Sequence, residues 1–293
     1  HPHEGTGFSI SQVIAWHTDD PGEPPYGLGY FTDEEYYAYL ECFQYAYDGA
    51  SFRVVKTERV SHEELLQGWR VGGQGMAVAI PDGDDLLMAF SAGNPDAGSG
   101  AGVMRWRRSG EDWRPVSFVP IAPSSREASL IRDLDGSFLF STRGGPEPDY
   151  NDICVWRSTD GGETWTKVIH VRGVISSAPI TLNRAADGTP YIVANLYEVF
   201  VHPADGVKMK VDAEGQLRGG GWTRKTLCIW PLNEERTGLL TPIIARDCRG
   251  EWGPPPGGST WRIDHPSGTT VKLADGQWHH ILGARVVEYA ELT

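Results

Sequence analysis

Cysteine is scarce in this sequence. The 293 residues contain four cysteines, and no two of them form a C-x-x-C pair: Cys42, Cys154, Cys228 and Cys248. This spacing argues against a zinc knuckle and against a thioredoxin-like redox motif. Four cysteines in a chain of this length also do not make a disulfide scaffold. We therefore expect buried thiols.

Long apolar runs and excess basic charge are lacking too. No run approaches the roughly 18 apolar residues that a membrane-spanning helix needs, so we expect no membrane span. The chain has 26 Lys and Arg against 39 Asp and Glu, which gives a formal net charge of −13. Nucleic-acid binding draws on clustered Lys and Arg, so this balance argues against a nucleic-acid partner.

Several familiar site motifs are absent as well. There is no H-E-x-x-H zinc spacing, no Walker loop, no Rossmann fingerprint and no G-x-S-x-G elbow. His279 and His280 are adjacent, and neighbouring strand residues point to opposite faces, so they make poor metal ligands as a pair. We expect no metal site and no cofactor.

Turn-forming residues, by contrast, are abundant, with 36 Gly and 20 Pro. A unit made of an apolar strand, an Asp-Gly turn and a second apolar strand occurs four times. Its turn glycines are 53, 52 and 88 residues apart along the chain: Gly83, Gly136, Gly188 and Gly276. A second unit, an aromatic-bearing strand with a polar turn and a return strand, is interleaved with the first.

Two hairpins in about 50 residues are typical of a four-stranded propeller blade. The sequence therefore predicts an all-β protein, a β-propeller of about five to six blades. Complete blades are expected at about 72–122, 125–173 and 175–250. The first 60 residues supply part of another blade, and 258–293 an inner hairpin. We interpret 1–293 as a single propeller domain whose C-terminal blade is incomplete; a β-sandwich is the rival architecture.

Residues 158–165 read S-x-D-G-G-x-T-W and follow the alternating run 153–156. This pattern predicts a tight hairpin turn in which Asp160 bonds the turn backbone and Trp165 packs across the hairpin. The stretch resembles the Asp-box, or BNR repeat, of sialidase-like β-propellers. The order of Glu127, the turn at 135–136 and Arg143 before this stretch is also similar to sialidases.

The resemblance implies a set of site residues. Glu127 would begin an inner strand and face a central pocket, with Arg126 at the same rim. Arg224 is similar to the sialidase Arg that holds a substrate carboxylate, a task suited to its planar fork. Sialidases place a nucleophilic Tyr before an L-x-D-G turn. Here that region carries Asp264 and His265 instead, and a His there can act as general acid or base.

These residues predict a carbohydrate-active enzyme of the sialidase-like type. We expect a glycoside hydrolase, exo-glycosidase-like, that acts on an oligosaccharide or polysaccharide. The expected catalytic residues are Glu127, His265 and Asp264; the expected substrate-binding residues are Arg126, Arg143, Arg224, Asn195 and Tyr197. By resemblance the protein is extracellular or periplasmic, although no signal peptide is visible.

Three alternatives remain open at the level of sequence. The first is a polysaccharide lyase that acts on a uronate-containing glycan, for which Tyr197 and Tyr26 are candidate phenols. The second is a non-catalytic carbohydrate-binding propeller. The third is a propeller that binds other proteins and no sugar.

Overall fold

The computed structural model describes residues 6–16, 36–48, 50–60, 70–73, 79–94, 98–110, 112–123, 125–143, 152–176, 178–196, 209–211, 217–219, 224–248 and 260–289. The strands in these ranges are β1 (Thr6–Trp16), β2 (Tyr36–Tyr47), β3 (Phe52–Val60), β4 (Arg70–Gly73), β5 (Ile80–Asp82), β6 (Asp85–Asn94), β7 (Gly98–Ser109), β8 (Asp112–Pro123), β9 (Arg126–Arg132), β10 (Phe138–Arg143), β11 (Ile153–Ser158), β12 (Thr166–Val171), β13 (Thr181–Arg184), β14 (Pro190–Asn195), β15 (Met209–Val211), β16 (Leu217–Gly219), β17 (Thr226–Pro231), β18 (Ile243–Asp247), β19 (Thr260–Lys272) and β20 (Trp278–Tyr289). Nowhere in these ranges is there a helix of the length and apolar character that a membrane crossing requires.

The strands form the blades of a β-propeller, as the sequence predicts. Strands β9 to β12 make one four-stranded antiparallel sheet, and β13, β14, β17 and β18 make another. A third sheet has the order β4-β6-β7-β8, with β5 paired to β6. Sheet β1-β2-β3 precedes these blades, and the two-stranded sheet β19-β20 follows them. We number the five sheets as blades 1 to 5 in chain order; the short β15-β16 hairpin lies in the insertion between β14 and β17.

The Asp-Gly turns lie at one end of the blades and so distinguish the two faces of the propeller. Asp135 accepts the Ser137 N–H at 2.9 Å, and Gly136 has φ +87°, a conformation that glycine adopts without a side-chain penalty. Since β9 and β10 are antiparallel, this turn lies at one end of the blade, while the start of β9 and the end of β10 lie at the other. We call the end with the Asp-Gly turns the turn face and the opposite end the rim face.

The turn at 158–165 has the geometry expected from its sequence. Asp160 Oδ1 accepts the backbone N–H groups of Glu163 at 3.1 Å and Thr164 at 3.0 Å. The Thr164 hydroxyl also bonds this carboxylate, and these bonds together hold the pKa of Asp160 well below its usual range. The Trp165 indole N–H donates to the Gly162 carbonyl at 3.0 Å, so the ring closes the turn.

A second turn of this kind, not foreseen from the sequence, lies in blade 4. Asn233 Oδ1 accepts the backbone N–H groups of Thr237 at 2.8 Å and Gly238 at 3.0 Å. Its amide donates to the Thr237 hydroxyl at 3.2 Å. The four-residue spacing from Asn233 to Thr237 equals that from Asp160 to Thr164. The match escapes a search for S-x-D-x-G, because Pro231, Asn233 and Glu235 stand at its three defined positions.

We expect Asn233→Ala to lower the free energy of unfolding by about 1–2 kcal/mol, because two backbone donors lose their acceptor. Asn233→Asp keeps the acceptor oxygen and serves as the matched control, with an expected change below about 0.5 kcal/mol. Urea denaturation of the two variants measures both values. Equal losses in both variants would show that the turn bonds are not what stabilises this segment.

Charged side chains on the turn face join neighbouring blades. The Arg132 guanidinium in blade 3 donates to the Asp82 carboxylate of blade 2 at 2.6 Å. Arg236 in blade 4 donates through Nε to Asp133 of blade 3 at 2.8 Å, and Asp133 is 4% exposed. Arg105 of blade 2 reaches the Gly161 carbonyl of blade 3 at 2.5 Å. These bonds hold blades 2, 3 and 4 at a fixed spacing.

The apolar core fills the spaces between blades. One cluster joins blades 2 and 3 and includes Leu87, Phe138 and Phe140, all at most 1% exposed. Another joins blades 3 and 4 through Ile153 and Ile180. All four cysteines are buried free thiols, as expected. Burial raises the pKa of Cys42 to about 12 and of Cys154 to about 11.

Candidate functional site

Glu127 and Arg143 form an ion pair at the rim face of blade 3. Arg143 Nη1 lies 2.9 Å from Glu127 Oε2. The two residues meet because Glu127 is the second residue of β9 and Arg143 ends the antiparallel strand β10. The Glu127 backbone N–H donates to Ser91 Oγ at 2.8 Å, which anchors the strand start to blade 2. The sequence order that suggested both residues thus brings them into contact.

Glu127 also has an unusual backbone conformation. Its φ is +52°, in the left-handed region that side chains larger than glycine rarely adopt. Such a conformation costs on the order of 1–3 kcal/mol and persists where the surrounding structure enforces it. Strain of this kind clusters at functional sites, so it marks Glu127 as a candidate independently of the sequence pattern.

Asp264 is the centre of a second charged group on the rim face. Its side chain is 1% exposed. Arg224 Nη1 donates to its Oδ2 at 2.6 Å, and Arg285 donates to both of its oxygens at 2.7 and 3.0 Å. Burial alone would raise the pKa of Asp264, but the hydrogen bonds from Arg285, Arg224 and His265 outweigh it and hold the pKa well below its usual range. Asp264 is therefore a fixed anion rather than a proton donor.

His265 receives its orientation from this anion. Its Nδ1 lies 2.9 Å from Asp264 Oδ1. Because the carboxylate accepts, Nδ1 carries the proton, and Nε2 is left as the nitrogen that can accept one. The side chain is 38% exposed. His265 has a φ of +48° and lies within the bulge between Asp264 and Ser267, which bends the strand locally.

Arg285 is a member of this group that sequence reasoning missed. It lies on β20, directly opposite Asp264 in the β19-β20 register, and its side chain is 51% exposed. Twenty-one residues separate the two along the chain. Only the register of the hairpin, with its bulge, places them together, and no local motif specifies that register.

Asn195 holds the strand that carries this group. Its side chain is fully buried, and its amide donates to the Ile263 carbonyl at 2.7 Å and to the Thr226 carbonyl at 3.4 Å. The Ile263 N–H in turn donates to the Arg224 carbonyl at 2.7 Å. Blade 4 thereby fixes the backbone just before Asp264.

Three other expected site residues have side chains that lie outside the described part of the structure. Tyr197 and Tyr26 lie outside the described residues. Arg126 is the first residue of β9, and its side chain also falls outside what is described. Among the residues whose positions are described, no group of three or more His, Cys, Asp and Glu side chains is arranged to hold a metal ion.

The Asp264 carboxylate should make stability fall in acid. Its folded pKa is depressed, so its contribution is fully present above the unfolded value of about 3.9 and is lost as the pH falls below it. We expect the free energy of unfolding to drop more between pH 6 and pH 3.5 in the wild type than in Asp264→Asn. Chemical denaturation at the two pH values measures the difference. Equal decreases in the free energy of unfolding for the two proteins would contradict a depressed pKa at Asp264.

Comparisons with known proteins give matches to solved structures. No family model matches the sequence, and no curated protein matches it. A Hadza microbial sialidase matches with a TM-score of 0.46 at 14% identity, over 80% of this chain and 41% of that one. An exo-β-1,3-galactanase from Clostridium thermocellum matches with a TM-score of 0.46 at 12% identity, over 77% and 50%. An α-L-arabinofuranosidase from Lactobacillus brevis matches with a TM-score of 0.41 at 11% identity, over 77% and 70%. The chain thus spans about two fifths of the length of the matched sialidase.

Proposed function

We propose that this chain is a carbohydrate-active enzyme, a glycoside hydrolase that cleaves a glycosidic bond at the rim face. The observation that carries the proposal is the buried Asp264 carboxylate, which fixes His265 and two arginines on the same face as the Glu127–Arg143 pair. A titratable side chain oriented by a buried anion, on the same face as a second carboxylate, is an arrangement suited to acid–base catalysis.

Hydrolysis requires two proton movements. A proton must reach the glycosidic oxygen as the bond to the anomeric carbon breaks, and a water must lose a proton as it attacks that carbon. His265, with Nε2 as its accepting nitrogen, is proposed as one of the two groups and Glu127 as the other. Asp264 serves as a positioning residue, because it keeps the imidazole in one tautomer and one orientation.

Arginines on the rim face are proposed to hold the sugar. Arg143 is 14% and Arg224 12% exposed, and each is bound to a carboxylate that keeps its guanidinium in place. A planar guanidinium binds a carboxylate or vicinal hydroxyls through paired hydrogen bonds. Arg126 and Tyr197 are proposed as further contacts, and Asn195 as a buried support. An acidic or strongly polar sugar fits this set best.

A polysaccharide lyase is the second candidate. The Asp264–His265 pair favours it, because an oriented imidazole can take the proton next to a uronate carboxylate. The arginines would then neutralise the enolate that forms, and the leaving oxygen departs as a double bond appears. This reaction adds no water, so its products differ in mass from those of hydrolysis.

Product mass separates these functions in one experiment. The protein is incubated with sialylated, rhamnosylated and uronate-containing oligosaccharides, and the products are analysed by mass spectrometry. A total gain of 18 Da corresponds to one added water and supports the hydrolase. An unsaturated product with no gain identifies a lyase. Binding of a sugar without turnover identifies a carbohydrate-binding propeller and overturns the catalytic proposal.

Three further parts of the proposal rest on the sequence. We treat residues 1–293 as one propeller domain, and we place the protein outside the cytoplasm, in an extracellular or periplasmic setting. The exo mode of cleavage belongs with these. Release of single sugars from the end of a labelled oligosaccharide would support it, and release of internal fragments would contradict it.

A further inference from the structure

A cavity of about 560 Å³ lies among the inner strands, and none of the rim residues whose side chains are described lines it. It is bounded by β9, β13 and β19, with Ile80 of β5 on one side. Its lining extends from Ser129 and Ser267 within the strands to Leu134 and Trp278 beside the Asp-Gly turns. Leu134 is 67% and Trp278 53% exposed, so the cavity opens on the turn face.

The deepest side of the cavity is shaped by a close approach of two strands. Asn183 of β13 is 8% exposed, and its amide donates to the Thr181 hydroxyl at 3.1 Å. The Asn183 side chain lies against β19 at Gly268. A Cβ added there would stand 2.8 Å from Asn183 Oδ1. Glycine is therefore required for the amide to occupy this position, and the amide presents a polar group to the cavity.

The chemistry of the lining selects a class of ligand. The face of the β19-β20 hairpin that carries Gly268 contributes the Thr270 hydroxyl, which also donates to the Arg184 carbonyl at 2.8 Å, and the exposed indole of Trp278. Of the described residues that line the cavity, Arg184 alone is charged, and its Nη1 donates to the Arg132 carbonyl at 2.9 Å. Hydroxyl and amide groups both donate and accept hydrogen bonds, while an indole offers a flat apolar face.

We propose that this cavity is a second binding site, for a neutral sugar ring that stacks on Trp278 and bonds the surrounding hydroxyl groups. Its volume falls within the range of about 300–1,000 Å³ that is usual for small-molecule sites. The carbon-bound hydrogens of a pyranose form an apolar face that matches the indole, and its hydroxyls match Thr270 and the Asn183 amide, which lie on the same face of the β19-β20 hairpin as Trp278. Its lining residues differ from the rim residues, and the site does not depend on the catalytic proposal.

Calorimetric titration tests the site with three probes: methyl β-galactoside, methyl α-rhamnoside and N-acetylglucosamine. The titration uses Glu127→Gln, so that turnover does not interfere. We expect at least one probe to bind, and Trp278→Ala to weaken its binding at least tenfold. Phe52→Ala is the matched control, since Phe52 is an aromatic residue with 69% exposure in blade 1; it should leave the binding unchanged.

Thr270→Val provides a second variant, in case the loss of Trp278 disturbs the β19-β20 hairpin. It removes one hydroxyl, keeps the shape, and should weaken the same probe several-fold. Binding that is unchanged in both cavity variants, or absent for all three probes, overturns the proposal. Turnover on the oligosaccharide panel is measured separately and should be retained in Trp278→Ala. A wrong assignment of the cavity and a wrong assignment of the catalytic site therefore give different results.

Discussion

Replacing Asp264 by Asn is expected to lower the free energy of unfolding by about 3–5 kcal/mol. Asn cannot neutralise the charges of Arg224 and Arg285, which donate to the Asp264 carboxylate in the folded protein. Removing one partner of a buried ion pair typically costs about this much, because the remaining charge loses that partner in a poorly solvated site. Urea or thermal denaturation measures it.

An exposed turn aspartate supplies the matched control for this experiment. Asp275 accepts the Gln277 N–H at 2.9 Å in the blade 5 turn, and Asn at this position keeps that acceptor. Asp275→Asn should therefore change the free energy of unfolding by less than about 0.5 kcal/mol. A loss below about 1 kcal/mol for Asp264→Asn would show that the arginines find other partners and that Asp264 is not the centre of the group.

Replacing Glu127 by Gln is expected to reduce kcat by about 10²–10⁴-fold, the usual contribution of a positioned acid or base. The fold should survive, because Gln retains an oxygen that can accept from Arg143, and because the Glu127 contact with Ser91 is made by the backbone. Steady-state kinetics on the substrate identified by mass spectrometry, together with a thermal melt, measure both expectations.

Glu163→Gln is the control for the loss of a carboxylate. Glu163 is exposed in the 158–165 turn, where its backbone N–H bonds Asp160. This variant should keep full activity. If Glu127→Gln kept activity within about threefold of the wild type, acid–base catalysis by Glu127 would be ruled out. Absence of turnover in the wild type as well would favour a non-catalytic carbohydrate-binding propeller.

Much of the blade architecture could be predicted from the sequence because the patterns that specify it are local. An Asp-Gly turn between two apolar strands specifies a hairpin within about ten residues, and its recurrence specifies blades. The same holds for Asp160, whose partners all lie within four residues of it. Glu127 and Arg143 were found together because they flank one such hairpin.

The rest depends on contacts between distant parts of the chain. Arg285 meets Asp264 only through a bulged register, and Asn195 meets Ile263 across 68 residues. The cavity at the turn face depends on Gly268 lying against Asn183, which belongs to another blade. Composition and periodicity describe one segment at a time, so they cannot specify how the ends of different blades are arranged.

The three non-glycine residues with left-handed backbone in the described chain are Glu127, His265 and Arg236. Arg236 joins two blades, but the other two are the proposed acid–base pair. At both positions glycine would adopt the same backbone conformation without a side-chain penalty, yet the chain retains a side chain there. On the proposed assignment, the rim face is a place where backbone strain is kept so that two reactive groups stay in position. Selection that relaxed this strain alone would be expected to remove the proposed activity first.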